Sequence, residues 1–180
     1  MKKPMNGAES FDRLQAVMHY ACEAAKDPSV LGRVKLNKVP WFADCISYMA
    51  TGKTITGERY IKRQFGPVPA KFVPALAQLE RDGKIQRGRA DYFNLVKDEF
   101  VSLRRPDVSM FEPEEMNFIR LAFEHVCMKN TATSISEETH TAIWRLAEIG
   151  DEIPVATVFA AELDEITEAD VAWANAKLAA

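Results

Sequence analysis

The stretch "GKTITGERYIKRQFGPVPAKF", Gly52 to Phe72, decides how this chain is read. Gly52 supplies a left-handed stop for the segment before it. Thr56-Gly57-Glu58 reads as a tight turn, Tyr60 to Phe65 as a short extended segment, and Gly66-Pro67 as its break. Pro69 fits the first position of a helix, where its missing N–H costs nothing. Phe72, Leu76 and Leu79 then form an apolar stripe, which Asp82-Gly83 closes. The string turns one helix into the next along a rigid, non-repetitive path. Nothing in it resembles a catalytic motif.

Upstream, Ser10 is the expected cap of a helix whose Phe11, Leu14, Val17, Met18 and Cys22 share a face. That helix should end near Asp27-Pro28. Val39, Phe42, Ile46 and Met49 mark the stripe of a second helix. Pro40 fits it only if the helix begins at about Asn37 or Lys38; otherwise it kinks the helix. Downstream, "KIQRGRADYFNLV" reads as a hairpin turning at Arg87 to Ala90 around Gly88, and "EFVSL" as a third strand. Pro113 opens a helix with Glu114 and Glu115 in its first turn. Ser136 is read as the cap of another, in which His140, Ile143, Trp144 and Ala147 share a face. Thr167 would cap a last helix with Val171, Ala174 and Leu178 on one side. The expected fold is mainly α, of the α+β class: a compact helical domain with a small antiparallel sheet or hairpin. Residues 1–9 are expected to form a flexible tail, 10–155 the domain, and 156–180 a C-terminal helical extension.

The whole chain of 180 residues suits one domain and can bury a core without disulfide or metal staples. Apolar residues make up 47% and charged ones 27%, and the formal net charge of -3 leaves no global basic field to attract nucleic acid. Cys22, Cys45 and Cys127 lie far apart in apolar helical contexts, as reduced core cysteines do. The N-terminus lacks the apolar run of a signal peptide, and no segment approaches the ~18 apolar residues of a membrane span. A cytoplasmic protein is expected.

Reactive groups are sparse. His19 and His125 lie in or beside apolar helical stripes, where structural or surface roles are the expectation. His140 and Trp144 are four residues apart and should stack, either as packing or beside an interface. Asp44 sits between Phe42 and Cys45 and must be solvated or paired; bases from Arg59 to Arg63 are candidate partners. No phosphate-binding loop, dinucleotide fingerprint or zinc-protease pattern occurs, so no catalytic residue, cofactor or metal ligand is expected. The helix before the hairpin imitates a winged-helix module, with Lys84, Arg87 and Arg89 on the wing. Its own Phe72, Leu76 and Leu79 call for a core, which leaves base readout poorly supported.

Leu36-Asn37-Lys38 followed by Phe42-Ala43-Asp44, then Gly52, Ile55-Thr56-Gly57 and Tyr60, then Phe65-Gly66-Pro67-Val68-Pro69, resemble the signature of the Panacea, or SocA-like antitoxin, domain. Pro40 stands where that family usually has Leu. The stretch Ser134 to Pro154 is similar to the family's Ser/Thr-His-x-x-x-Trp element, with His140 and Trp144 in the matching places. The resemblance covers about Leu14 to Pro154. It implies a bacterial or phage-borne, non-enzymatic antitoxin that binds a genetically linked toxin, in a family associated with many unrelated toxins. Direct neutralisation is the first expected mechanism. Delivery of the toxin to a ClpXP-type protease is an alternative, and DNA binding, with weak operator contact, is one from another class. Trp41, Asp44, Tyr48, Tyr60, Arg63, Phe65, Gly66, Pro67, His140 and Trp144 are the candidate toxin-binding or motif residues, although each aromatic equally suits the core. The terminal Leu178-Ala179-Ala180 is similar to tails accepted by such a protease; an alanine-rich helix end is the plainer reading.

Overall fold

Asn6, four residues upstream of the expected Ser10, caps the first helix. Its side chain accepts the N–H groups of Ala8 and Glu9 at 3.0 and 2.9 Å. The structure, a computed structural model, describes residues 5–92 and 95–162. The region expected to hold a helix capped by Thr167, and the Leu178–Ala180 terminus, lie outside the described residues.

Helix α1 (Gly7–Ala24) buries Leu14, Val17, Met18, Ala21 and Cys22. After a 3-10 turn at Pro28–Val30, helix α2 (Arg33–Thr51) begins a turn earlier than the expected Asn37 or Lys38 and carries Pro40 in its interior. Tertiary packing overrides local propensity here. α2 is central and packs against α1, α4 (Pro113–Phe123) and the short strand β2 (Gly66–Pro69). It buries Leu36, Val39 and Ala43 in the main core and Trp41 and Cys45 in a smaller one. At ~1.5–3 kcal/mol for each large buried side chain, that burial outweighs the ~3 kcal/mol of an interior proline. Gly52, at φ 70°, ends α2 in the left-handed conformation, as expected.

Strand β1 (Tyr60–Arg63) pairs antiparallel with β2, Tyr60 opposite Pro69 and Arg63 opposite Gly66. Pro69 therefore ends a strand, and helix α3 (Phe72–Arg81) starts three residues later. The prolines are compatible with the ladder because inter-strand bonds alternate. Ala70 N–H bonds to Arg59 O at 2.8 Å, which places the Pro67 and Pro69 nitrogens on the outer edge, where no N–H is needed. The other edge of β1 is covered by Gly150–Ile153: Lys62 N–H bonds to Asp151 O at 2.7 Å and Ile153 N–H to Tyr60 O at 2.7 Å.

Strands β3 (Ile85–Tyr92) and β4 (Leu95–Ser102) form the second ribbon. Gly88 faces Glu99 within this ladder, so the expected turn there is strand; the ladder extends to Tyr92 opposite Leu95, and "EFVSL" belongs to β4. Helix α4 opens on Pro113 inside a Glu112–Glu115 capping box and continues as a π-helical turn, Glu124–Met128. In place of one helix capped by Ser136 there are two, α5 (Ala132–Glu138) and α6 (Ala142–Leu146). Thr141 interrupts the helical path by capping α6 through the Trp144 N–H. His140 sits in the link. A 3-10 helix (Val155–Glu162) follows. This is a mainly helical α+β fold with two small antiparallel sheets.

Candidate functional site

The string Ile55-Thr56-Gly57-x-x-Tyr60 closes around Asp44. Asp44 projects from α2 and is wholly buried. Its Oδ1 accepts the N–H groups of Ile55 and Thr56 at 2.7 and 2.8 Å. Its Oδ2 accepts the Thr56 hydroxyl at 2.5 Å and the Tyr60 hydroxyl at 2.7 Å. The expected partners among Arg59 to Arg63 are not used, since a guanidinium would itself have to be desolvated here. Burial pushes the Asp44 carboxyl up and the four donors oppose it; burial first, then the Asp44 charge, pushes Tyr60 well up. Gly57, at φ 64°, lets the loop turn tightly after its amides are captured. Arg13 holds the far side of the same peptide: its Nε donates to Ile55 O at 2.5 Å and its guanidinium pairs with Glu115 at 2.6 Å.

Tyr60 also meets Trp41 edge to face, ring centroids 4.9 Å apart. Trp41, Asp44 and Tyr60 are thus one buried unit that ties α2 to β1. A second buried unit lies beside it. Lys38 is fully buried and donates to Pro67 O at 3.1 Å; burial lowers its ammonium to about 7. Gly66, at φ 100°, is required here, because a β-carbon would overlap both the Lys38 Nζ and the Thr139 Oγ1. The motif pair Gly66-Pro67 therefore makes room for a lysine and supplies its acceptor.

His140 and Trp144 do stack, with ring centroids 3.8 Å apart and planes within 14°. The Lys62 ammonium lies 4.1 Å from the Trp144 ring centroid and donates to Ala147 O at 2.8 Å. Burial, then the charges of Lys38 and Arg145, lowers the His140 imidazole. Tyr48 is half-buried and faces Phe159 at 5.8 Å.

Arg63 and Phe65 differ from all of these. Arg63 ends β1 and Phe65 lies in the two-residue β1–β2 turn, and both are exposed; Arg63 makes no ion pair among the described residues, and Phe65 is 53% accessible. Gly150 N–H bonds to Lys62 O, which brings the α6 end of the chain alongside. Leu146 and Ile149 there are 83% and 63% accessible. Sequence reasoning did not name these two, which lie off the face drawn through His140, Ile143, Trp144 and Ala147. It also left Lys38, Thr56 and Arg13 out of the site. The signal for Thr56 was available in the loop, where two consecutive amides after a left-handed glycine suit a carboxylate.

The other single residues are structural. His19 is buried and its Nε2 lies 3.1 Å from Ser102 Oγ and 3.0 Å from Arg104 O. Cys22, Cys45 and Cys127 are free and buried, and burial pushes the Cys22 and Cys127 thiols up to about 12. Among the described residues no helix is long and apolar enough to cross a membrane.

Within the motif, Asp44, Thr56, Tyr60 and Lys38 hold the loops that follow α2. A family model described as the SocA-like antitoxin, Panacea domain, matches residues 36–145. The chain belongs to this antitoxin family. No curated protein and no solved structure matches it. The matched span of the Panacea domain contains the Asp44 and Lys38 units and the His140–Trp144 stack, while α1 and the Gly150–Ile153 segment lie outside it. The family is described as an antitoxin domain and not as an enzyme.

Proposed function

We propose that this Panacea domain neutralises a genetically linked toxin by direct contact, through the face around the β1–β2 turn. One observation carries the reading. The family motif is spent on a rigid buried frame, and the side chains it leaves outside at the turn are Arg63 and Phe65, beside Leu146 and Ile149. Arginine and aromatic side chains set among apolar neighbours are the composition of binding hot spots. Trp41, Asp44, Tyr60, Gly66 and Pro67 shape this face from behind. His140, Trp144 and Lys62 fasten α6 to it. A frame held this way loses little conformational freedom on binding, which favours affinity.

The DNA-binding alternative fits less well. On the hairpin, Arg87 is paired with Glu80 at 3.1 Å, and Arg89 stands opposite Asp98. α3 buries Phe72, Leu76 and Leu79 and so keeps its apolar stripe in the core.

Co-expression with the product of the neighbouring gene tests the reading. The toxin alone should arrest growth, and this chain should relieve the arrest and co-purify with it. Arg63→Glu with Phe65→Ala should abolish relief while the melting temperature stays within about 2 °C, since exposed substitutions cost little stability. Undiminished relief by that double variant would overturn the assignment of the face. Relief with loss of the toxin protein, dependent on the protease, would replace direct neutralisation by the adaptor mechanism.

A further inference from the structure

Leu146 and Ile149 owe their position to α6, and α6 is fastened to β1 through the Trp144 indole. One face of that ring is covered by the His140 imidazole, with centroids 3.8 Å apart. The Lys62 ammonium, 4.1 Å from the ring centroid, therefore takes the other face. The same ammonium donates to Ala147 O at 2.8 Å, and Gly150 N–H returns to Lys62 O at 3.1 Å. Imidazole, indole and ammonium form a three-layer sandwich that joins the α5–α6 link, α6 and β1.

The sandwich already holds one cation and is poorly built for a second. His140 Nε2 is buried and has no hydrogen-bond partner among the described residues. An imidazolium carries an N–H on both nitrogens, so a proton here would leave a charged donor without an acceptor. Beyond burial, the charges acting on the imidazole are Lys38 of α2, Arg145 of α6 and Lys62 of β1, and against these three cations Glu137 of α5. Lys38 and Lys62 are themselves buried and donate to the Pro67 and Ala147 carbonyls; no carboxylate pairs with either among the described residues. Val155 and Val158 of the 3-10 helix share the small core with Trp144 and are uncharged, and Tyr60 there has its hydroxyl on Asp44. Past α6, Asp151 accepts the Glu148 N–H at 2.7 Å, and Glu152 pairs with Arg59 at 3.3 Å. Protonated His140 finds relief by rotating outward, since it is half-buried and lies in the link outside both helices.

We propose that the α5–α6 link is an acid-sensitive latch: a proton on His140 opens the His140–Trp144 stack, loosens α6 and takes Leu146 and Ile149 out of their docking arrangement. The latch stands on the sandwich alone; its consequence for docking rests on the antitoxin reading. Acid favours the open state because the imidazole binds its proton more readily once it is in water.

The test uses the full chain labelled with 5-fluorotryptophan, the Trp144 fluorine resonance being assigned by Trp144→Phe. In wild type that resonance should move between pH 7.5 and 5, with a midpoint below about 6.5. At the acid end it should gain a solvent isotope shift between water and deuterium oxide, the mark of exposure, while the far-ultraviolet circular dichroism stays unchanged. His140→Gln should abolish the movement. Glu137→Gln, an exposed change that removes the opposing carboxylate, should shift the midpoint to lower pH. The second readout is affinity for the co-expressed toxin. From pH 7.5 to 5.5 it should weaken at least fivefold more for wild type than for His140→Gln, a ratio in which titration of the toxin itself cancels. A Trp144 resonance that stays in place, moves without the isotope shift, or still moves in His140→Gln overturns the latch. A movement that coincides with loss of the circular dichroism signal is acid unfolding of the whole domain and overturns it as well. If Trp144 opens but the affinities of the two proteins follow one pH course, the inference fails while the antitoxin reading stands. If wild type relieves no toxin at pH 7.5, the antitoxin reading itself fails, and the docking consequence with it.

Discussion

Replacing Lys38 by Met gives a test whose size follows from the fold. Lys38 is wholly buried, with the Pro67 carbonyl as its acceptor, and its ammonium is lowered to about 7. In the unfolded chain a lysine holds its proton to about pH 10.4. Between these values the unfolded state binds more protons, so stability rises with pH at up to ~1.36 kcal/mol per unit. From pH 7.5 to 9 this amounts to about 2 kcal/mol in favour of the native state. Wild type alone would not display the rise. The thiols of Cys22, Cys45 and Cys127 are raised by burial, so the unfolded chain loses those protons first and stability falls above about pH 8.5. That loss is common to both proteins and cancels in their difference. The measurement is therefore the urea-unfolding free energy of wild type minus that of Lys38→Met, under reducing conditions, at pH 7.5 and 9. The difference should move by about 2 kcal/mol toward wild type. A difference that stays constant would show that Lys38 keeps its charge in the folded state, and the account of the Gly66–Pro67 pocket would be wrong.

Asp44→Ala should cost about 3–5 kcal/mol in chemical denaturation, because it strands two buried amides and two hydroxyls; a loss below about 1 kcal/mol would show that the loop does not need its carboxylate. Tyr60→Phe should cost about 1.5–3 kcal/mol for one bond to that group, and Tyr60→Ala visibly more because it also empties the Trp41 contact. Gly66→Ala should lower the melting temperature sharply, and pairing it with Lys38→Ala should recover part of the loss; equal melting of single and double variants would refute the overlap. His140 is lowered below its ordinary value, so the unfolded chain takes up that proton first and stability falls as pH drops through about 6.5. His140→Gln should flatten part of that fall in melts between pH 7 and 5, and an unchanged slope would place the acid response elsewhere.

Much of the domain is legible along the chain because it is written in local chemistry. The Gly52 stop, the Pro113 start, the extended Tyr60–Arg63 and the apolar faces of α1 and α3 each follow from a few neighbouring residues. The misread elements are those where distant packing competes with local preference. Pro40 stays within α2 because the helix is buried on several sides. Pro69 sits in a strand because its nitrogen faces the outer edge of a ribbon, which a linear string does not reveal. Gly88 was read as a turn, yet the ladder carries it as strand.

The sequence by itself determined the family, the mainly helical class and the set of motif residues, since spacing and turn chemistry survive in one dimension. Only the tertiary structure sorted those residues by role. Asp44, Tyr60 and Lys38 became a buried frame because each finds a hydrogen-bond partner inside that replaces lost water. Arg63 and Phe65 stay exposed at the tight β1–β2 turn, because burial is a property of the assembled layers and not of the residue type.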